Sequence, residues 1–250
     1  PKTIKLYVDD EPLLLATADL EHYERALDLR AGILTRTVIW RTSAGKRVRI
    51  SSTRMVSVVE RHVAVMTFEV EMLSGHASIV ISSQLLNRQD GSDEYHVRKH
   101  AMGEGFDPRR ADVFAHRVLE PVLHEVRGGR LLLGYRTRSS GMTVATMVDH
   151  ALETDNAFAE RSSVEADVGK HVYRIEAREG QPTLLTKTVA VHTSRGVPPR
   201  ELADRCGRTL DRVLDRGLDG MRAEHAERWA RFWLESDVQV EGEGLEHVQQ

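Results

Sequence analysis

Cysteine is almost absent from these 250 residues: Cys206 stands alone. A single thiol makes no internal disulfide, so the fold must rest on packing, and the expected setting is a reducing, cytoplasmic one with Cys206 as a small core residue. Aromatic residues are scarce at 5%, and two of the three tryptophans, Trp229 and Trp233, sit close together near the end, apart from Trp40. That leaves little for the exposed ring platforms on which glycans stack. Charge of one sign is not in excess either, since the formal net charge is −3. A nucleic-acid partner therefore has no electrostatic support. No apolar run approaches the roughly 20 residues that cross a bilayer, and no charged-then-apolar leader opens the chain, so no membrane partner is expected. Internal repeats and low-complexity tracts are also missing. What remains is a chain long enough to bury a substantial core.

The clearest pattern lies between Leu27 and Met72. Leu34, Arg36, Val38 and Trp40 alternate with Thr35, Thr37, Ile39 and Arg41; Ser43-Ala44-Gly45-Lys46 interrupts; Val48 and Ile50 then alternate with Arg47, Arg49 and Ser51. Period-two side chains on both arms with a glycine between them predict a hairpin. A further strand from His62 to Met72 puts Ala64, Met66, Phe68, Val70 and Met72 on one apolar face. The three make an antiparallel meander. Ile4 to Val8 and Leu13 to Leu15 predict a short hairpin before it, turning at Asp9-Asp10-Glu11-Pro12, while Tyr23 to Leu29 leads in without a clear period. Ser74-Gly75 and the run Ala77 to Leu86 predict a fourth strand of the meander.

From Asn87 to Gly129 the chain is polar, charged and glycine-containing, and reads as one long irregular loop, which in a sheet protein is a place for function or disorder. Strand-like composition resumes in Arg130 to Arg138, Met142 to Leu152, Lys170 to Ala177 and Pro182 to Thr193. Roughly ten strands with short turns predict two stacked sheets. The fold class expected is mainly β: a large antiparallel β-sandwich over residues 1–193, then a helical linker over 194–236. In that linker Pro198-Pro199 suits a helix start. Leu202, Cys206, Leu210, Val213 and Leu214 recur at helical spacing up to Gly217. Asp219 then suits the cap of a second helix whose apolar face is Met221, His225, Trp229, Phe232 and Trp233.

Few residues make a chemical site by spacing. Asp9-Asp10-Glu11 is a solvated turn rather than a metal cluster, because adjacent side chains diverge. His96 and His100, with His116 and His124 further on, lack the glutamate and cysteine partners of a zinc motif. Gly103-Glu104-Gly105 lacks the lysine and the glycine spacing of a phosphate loop. The aromatic stripe on the second helix reads as packing, and Glu224 and Glu227 as a charged helix face. No serine-histidine or cysteine-histidine arrangement emerges, so no catalytic residue and no metal ligand is assigned.

The wording of the chain adds to its physics. The run YERALDLRAGILTRTVIWRTSAGKRVRISSTRMVSVVERHVAVMTFEVE, from Tyr23 to Glu71, resembles the N-terminal domain of glycoside hydrolase family 65, which includes maltose, trehalose and kojibiose phosphorylases. The run EHAERWARFWLESDVQVEGE, from Glu224 to Glu243, is similar to the segment leading from that family's linker helices toward its catalytic barrel. The resemblance implies a super-sandwich, linker helices and, with residues 237–250, the opening of an (α/α) barrel that would carry the general-acid glutamate. It implies an α-linked glucose disaccharide as the parent enzyme's substrate, split by inverting phosphorolysis or by hydrolysis, with inorganic phosphate as co-substrate in the first case and no further cofactor. It also implies contact with the chain's own barrel and a homodimer. It places a loop over the active site at Asn87, Arg88, Gln89 and Asp90, whose polar groups suit sugar hydroxyls. The competing readings are a self-sufficient carbohydrate-binding sandwich and a protein-interaction scaffold.

Overall fold

The computed structural model describes residues 2–87 and 118–237. Two antiparallel sheets stack on each other. The smaller runs β11-β12-β7-β1-β2 and the larger β3-β4-β5-β6-β13-β10-β9-β8. In chain order the strands are β1 (Thr3–Val8), β2 (Glu11–Pro12), β3 (Asp19–Asp28), β4 (Ile33–Arg41), β5 (Arg47–Val56), β6 (Val63–Met72), β7 (Ala77–Leu86), β8 (Leu119–Arg127), β9 (Arg130–Thr137), β10 (Thr143–Thr154), β11 (Phe158–Val164), β12 (Val168–Ala177) and β13 (Thr183–Ser194). The mainly β sandwich expected from the sequence is the fold observed.

The core follows from the alternation. In register, Val38 faces Ile50 and Ile50 faces Val70, while Trp40 faces Val48 and Val48 faces Met72. Those side chains meet Leu6, Val8, Ile79, Ile81, Tyr173 and Ile175 of the smaller sheet in one buried cluster. Each side chain so buried contributes about 1.5–3 kcal/mol, which makes this layer the main source of stability. The meander of β4, β5 and β6 pairs as its sequence predicts. The run Ala77 to Leu86 instead leaves it: β7 crosses to the other sheet, between β1 and β12, because its Ile79 and Ile81 complete the facing half of the core.

Three strands carried no apolar period. Both β3 and β11 are edge strands with nearly every residue exposed, so nothing selects apolar side chains along them. The third, β8, lies inside the stretch read as irregular from Asn87 to Gly129. It too is an edge strand, distorted between Pro121 and Leu123, and an edge is where a proline is tolerated in a sheet. Gly128 and Gly129, with φ of 56° and 81°, form the two-residue turn that returns it into β9.

The outer face of the larger sheet is covered by α1 (Pro199–Ser236). The two linker helices expected are the two halves of α1, which break at Gly217, whose φ of 75° and ψ of 164° leave the helical region. Asp219, expected as a cap, is fully exposed and lies 3.9 Å from Arg222. Before the break, Leu202, Ala203, Cys206 and Leu210 pack on Leu132, Ala145, Met147 and Ala190; Leu214, expected on this face, is exposed. Val213 and Met221 then meet Met55, Val63 and Val65. The first half of β6 is thus buried on both faces, where its sequence suggested one apolar side, while Glu69 and Glu71 further along stay half-exposed. Ion pairs fasten the helix: Arg130 bonds Asp149 and Asp211, each at 2.7 Å, and Arg212 bonds Glu60 at 2.8 Å. Among the described residues no helix is long and apolar enough to cross a membrane.

Candidate functional site

The residues expected to form an active-site loop follow the end of β7 in the chain, so the chemistry at that end of the strand comes first. Ser83 continues the inward row of Ile79 and Ile81, and His150 of β10, His171 of β12 and Lys187 of β13 point into the same layer. Polar groups replace the apolar core here. Ser83 has no solvent exposure and its Oγ lies 2.7 Å from His150 Nε2. His171 is paired across from Ser83 in the sheet, stacks on Tyr173 with ring centroids 4.5 Å apart, and lies 3.1 Å from both Ser162 Oγ and Glu160 Oε2. Lys187, also without exposure, donates from Nζ to the Gln84 carbonyl at 2.9 Å and reaches that of Thr3 at 3.4 Å. It therefore ties the larger sheet to two strands of the smaller one.

Burial dominates the electrostatics of this cluster. It pulls the Lys187 ammonium down to about 7 and the His150 imidazole down to about 2, the latter helped by neighbouring Lys187. A lysine titrating near neutrality and a serine bonded to a histidine are the ingredients of nucleophilic catalysis. Here they are sealed. His150 Nδ1 has no hydrogen-bond partner to orient the ring, and neither Ser83 nor Lys187 opens to a substrate. With Ser83 and Lys187 buried and His150 half-buried, the arrangement serves to clamp the end of β7. Sequence reasoning missed it because a serine, a histidine and a lysine on inward positions of three separate strands leave no local motif.

Of the four loop residues, Asn87 is described. Its backbone N–H donates to the Asp167 carbonyl at 2.9 Å and its Nδ2 to Asp167 Oδ1 at 3.0 Å, which fastens it to the turn between β11 and β12. Arg88, Gln89 and Asp90 lie outside the described residues, as do His96, His100 and His116. His124 is exposed on β8. No group of histidine, cysteine, aspartate or glutamate among the described residues has the arrangement of a metal site. At the first turn, Asp9 pairs with Lys46 and Glu11 accepts from Ser43 N at 2.8 Å, so these acids do diverge.

None of the three tryptophans is fully exposed. Trp40 is core, at 1% exposure. Trp229 lies against Trp233 and Phe232, with centroids 6.1 and 5.4 Å away, and donates to His225 Nε2 at 3.0 Å. His225 is buried, with Nδ1 3.3 Å from the Val58 N–H. Gly32 admits the Trp229 ring, since a Cβ there would lie 2.3 Å from Nε1. Phe232 and Leu234 nevertheless remain exposed, so the stripe expected to be core packing is covered only in part. Glu224 pairs with Arg216 at 2.8 Å, as a charged helix face should.

The model of the glycosyl hydrolase family 65 N-terminal domain matches residues 1–232, which is the whole sandwich and nearly all of α1. The chain belongs to this family. An uncharacterized glycosyl hydrolase of Mycobacterium tuberculosis is 30% identical over 242 residues, covering 97% of the chain and 29% of the relative. The alpha,alpha-trehalose phosphorylase of Thermoanaerobacter brockii is 26% identical over 242 residues, with 97% and 30% covered. A solved structure titled as a putative kojibiose phosphorylase from the human microbiome superposes with a TM-score of 0.75 at 17% identity, covering 96% of the chain and 28% of that one. That likeness establishes the shared fold. The family 65 N-terminal domain described here thus spans less than a third of the length of the curated relatives it matches.

Proposed function

We propose that this domain is the non-catalytic N-terminal part of an enzyme that splits α-glucosidic disaccharides, by inverting phosphorolysis or by hydrolysis. In this reading it supplies architecture and a loop that covers the active site. The carrying observation is that Ser83 and Lys187 are buried and, with the half-buried His150, bond within the sandwich as a clamp. A disaccharide phosphorylase needs a carboxylic acid at the glycosidic oxygen with phosphate on the opposite face, and among the described residues no carboxylate lines the clefts beside Arg136 and Pro198, beside Arg36 and Arg54, or beside Met55 and Leu218. Names among the relatives support the substrate class: trehalose, maltose and kojibiose phosphorylases. The clamp beneath Gln84 and the fastening of Asn87 to Asp167 give the loop a rigid base. Arg88, Gln89 and Asp90 are proposed to contact sugar hydroxyls in the longer enzyme, next to its own barrel.

Two measurements test the reading. The 250-residue chain, incubated with trehalose, maltose or kojibiose and phosphate, should release no glucose 1-phosphate, and turnover by the chain alone would overturn the non-catalytic assignment. In the longer enzyme Arg88→Ala should raise KM severalfold, and unchanged kinetic constants would remove Arg88 from the site.

A further inference from the structure

A second feature at the open end of the sandwich has no part in that reading. The inner face of the larger sheet extends past the smaller one, and the row that gives Val38 and Trp40 to the core continues outward as Arg36 and Leu34. In register Arg36 stands opposite Arg25 on one side and opposite Ser52 on the other, and Arg54, opposite Leu34, is one diagonal step away. Lys2, entering β1 of the other sheet, closes the far side. Together they bound a cleft of about 270 Å3 whose lining includes Lys2, Tyr23, Arg25, Arg36, Ser52 and Arg54 and no carboxylate.

This arrangement works against the fold as it stands. Like charges directly opposite in a sheet are destabilising. Arg36 Nε is buried and has no hydrogen-bond partner, a costly state for a charged group. Burial first, then the charge of Arg54, lowers the Arg36 guanidinium from its ordinary value. Other partly covered arginines of the chain are neutralised: Arg130 by Asp149 and Asp211, Arg216 by Glu60 and Glu224. For Lys2, Arg25, Arg36 and Arg54 the described residues provide no acidic partner.

We propose that this cleft is a binding site for a small phosphate-type dianion, either inorganic phosphate or a small phosphate monoester. Four cations without an acid call for more than one negative charge, and planar guanidinium forks match the geometry of a tetrahedral oxyanion. The Tyr23 and Ser52 hydroxyls add donors. A volume below the roughly 300–1,000 Å3 of drug-sized ligand sites fits an ion or a short monoester.

Thermal unfolding of the chain at constant ionic strength tests this, with inorganic phosphate, glycerol phosphate, sulfate and acetate as probes. Phosphate should raise Tm along a saturable curve and acetate should not. Glycerol phosphate acting at lower concentration than phosphate assigns the site to a monoester; the reverse order assigns it to the free ion. If all four anions shift Tm alike, they merely screen the arginines and the site does not exist. Arg36→Gln should be at least as stable in phosphate-free buffer, because it removes repulsion, and should lose the saturable rise. Arg54→Gln should weaken the apparent affinity about tenfold. A full phosphate response retained by both variants would overturn the proposal.

Discussion

Replacing Lys187 by methionine should stabilise the protein at neutral pH and not at alkaline pH. Burial holds the Lys187 pKa at about 7, against 10.5 for the free side chain. Between these values the unfolded chain binds the proton more tightly, so the lysine's opposition to folding is fully present below about pH 7 and fades as pH rises toward 10.5. At about 1.4 kcal/mol per pH unit, the opposition at pH 7 is roughly 4 kcal/mol, falling to about 1 at pH 10. The Nζ bonds to the Gln84 and Thr3 carbonyls act the other way, and their loss costs about 1–2 kcal/mol at any pH. Methionine keeps the length and volume of the chain. The variant should therefore exceed the parent by about 2–3 kcal/mol at pH 7 and by nothing near pH 10. Urea unfolding followed by tryptophan fluorescence at intervals across that range measures the difference directly. A variant less stable than the parent by the same amount at every pH would refute the reasoning, because the ammonium would then be adequately solvated where it lies.

Gly32→Ala should cost about 2–4 kcal/mol, since the residue has φ +64° and its Cβ would collide with the Trp229 ring; a urea midpoint equal to the parent's, without a red shift of tryptophan emission, would contradict the contact. Glu60 tests the fastening of α1. The Arg212 guanidinium holds its carboxyl below the ordinary 4.5, so the pairing supports the fold above that pH and is lost as pH falls through the lower folded value. Glu60→Gln should accordingly flatten the fall of Tm as pH drops below 4.5, and an unchanged acid limb would remove the pair from the stability of the helix. Calorimetry of the chain with maltose or trehalose should show no binding at millimolar sugar, because Trp40 is core and the other tryptophans are packed with each other; heats that saturate would favour a carbohydrate-binding module.

How much of this was legible depended on burial. Val38, Trp40, Val48, Ile50, Val70 and Met72 alternate because one face of each strand is core, and the meander could be read from them. Residues of β3 and β11 are exposed on both faces, so the period carried no information there. In β8 the Gly128-Gly129 turn was the available signal, outweighed by the surrounding charge and by Pro121. Gly217 marked the break of α1 correctly because a positive φ selects glycine. The destination of β7 and the clamp of Ser83, His150 and Lys187 depend on which strands become neighbours across the two sheets. That information is distributed over residues 83 to 187 and has no local signature. The basic cleft is also tertiary: Arg25, Arg36 and Arg54 occupy ordinary alternating positions, and their lack of a partner appears only when the strands are paired.

The most direct test of the central claim is the glucose 1-phosphate assay on the chain by itself, with trehalose, maltose and kojibiose each supplied with phosphate, beside the longer enzyme under the same conditions. The account predicts product from the longer enzyme and none from the chain. Sustained release by the chain would contradict it, because these 250 residues would then have to carry a catalytic acid and a phosphate site of their own.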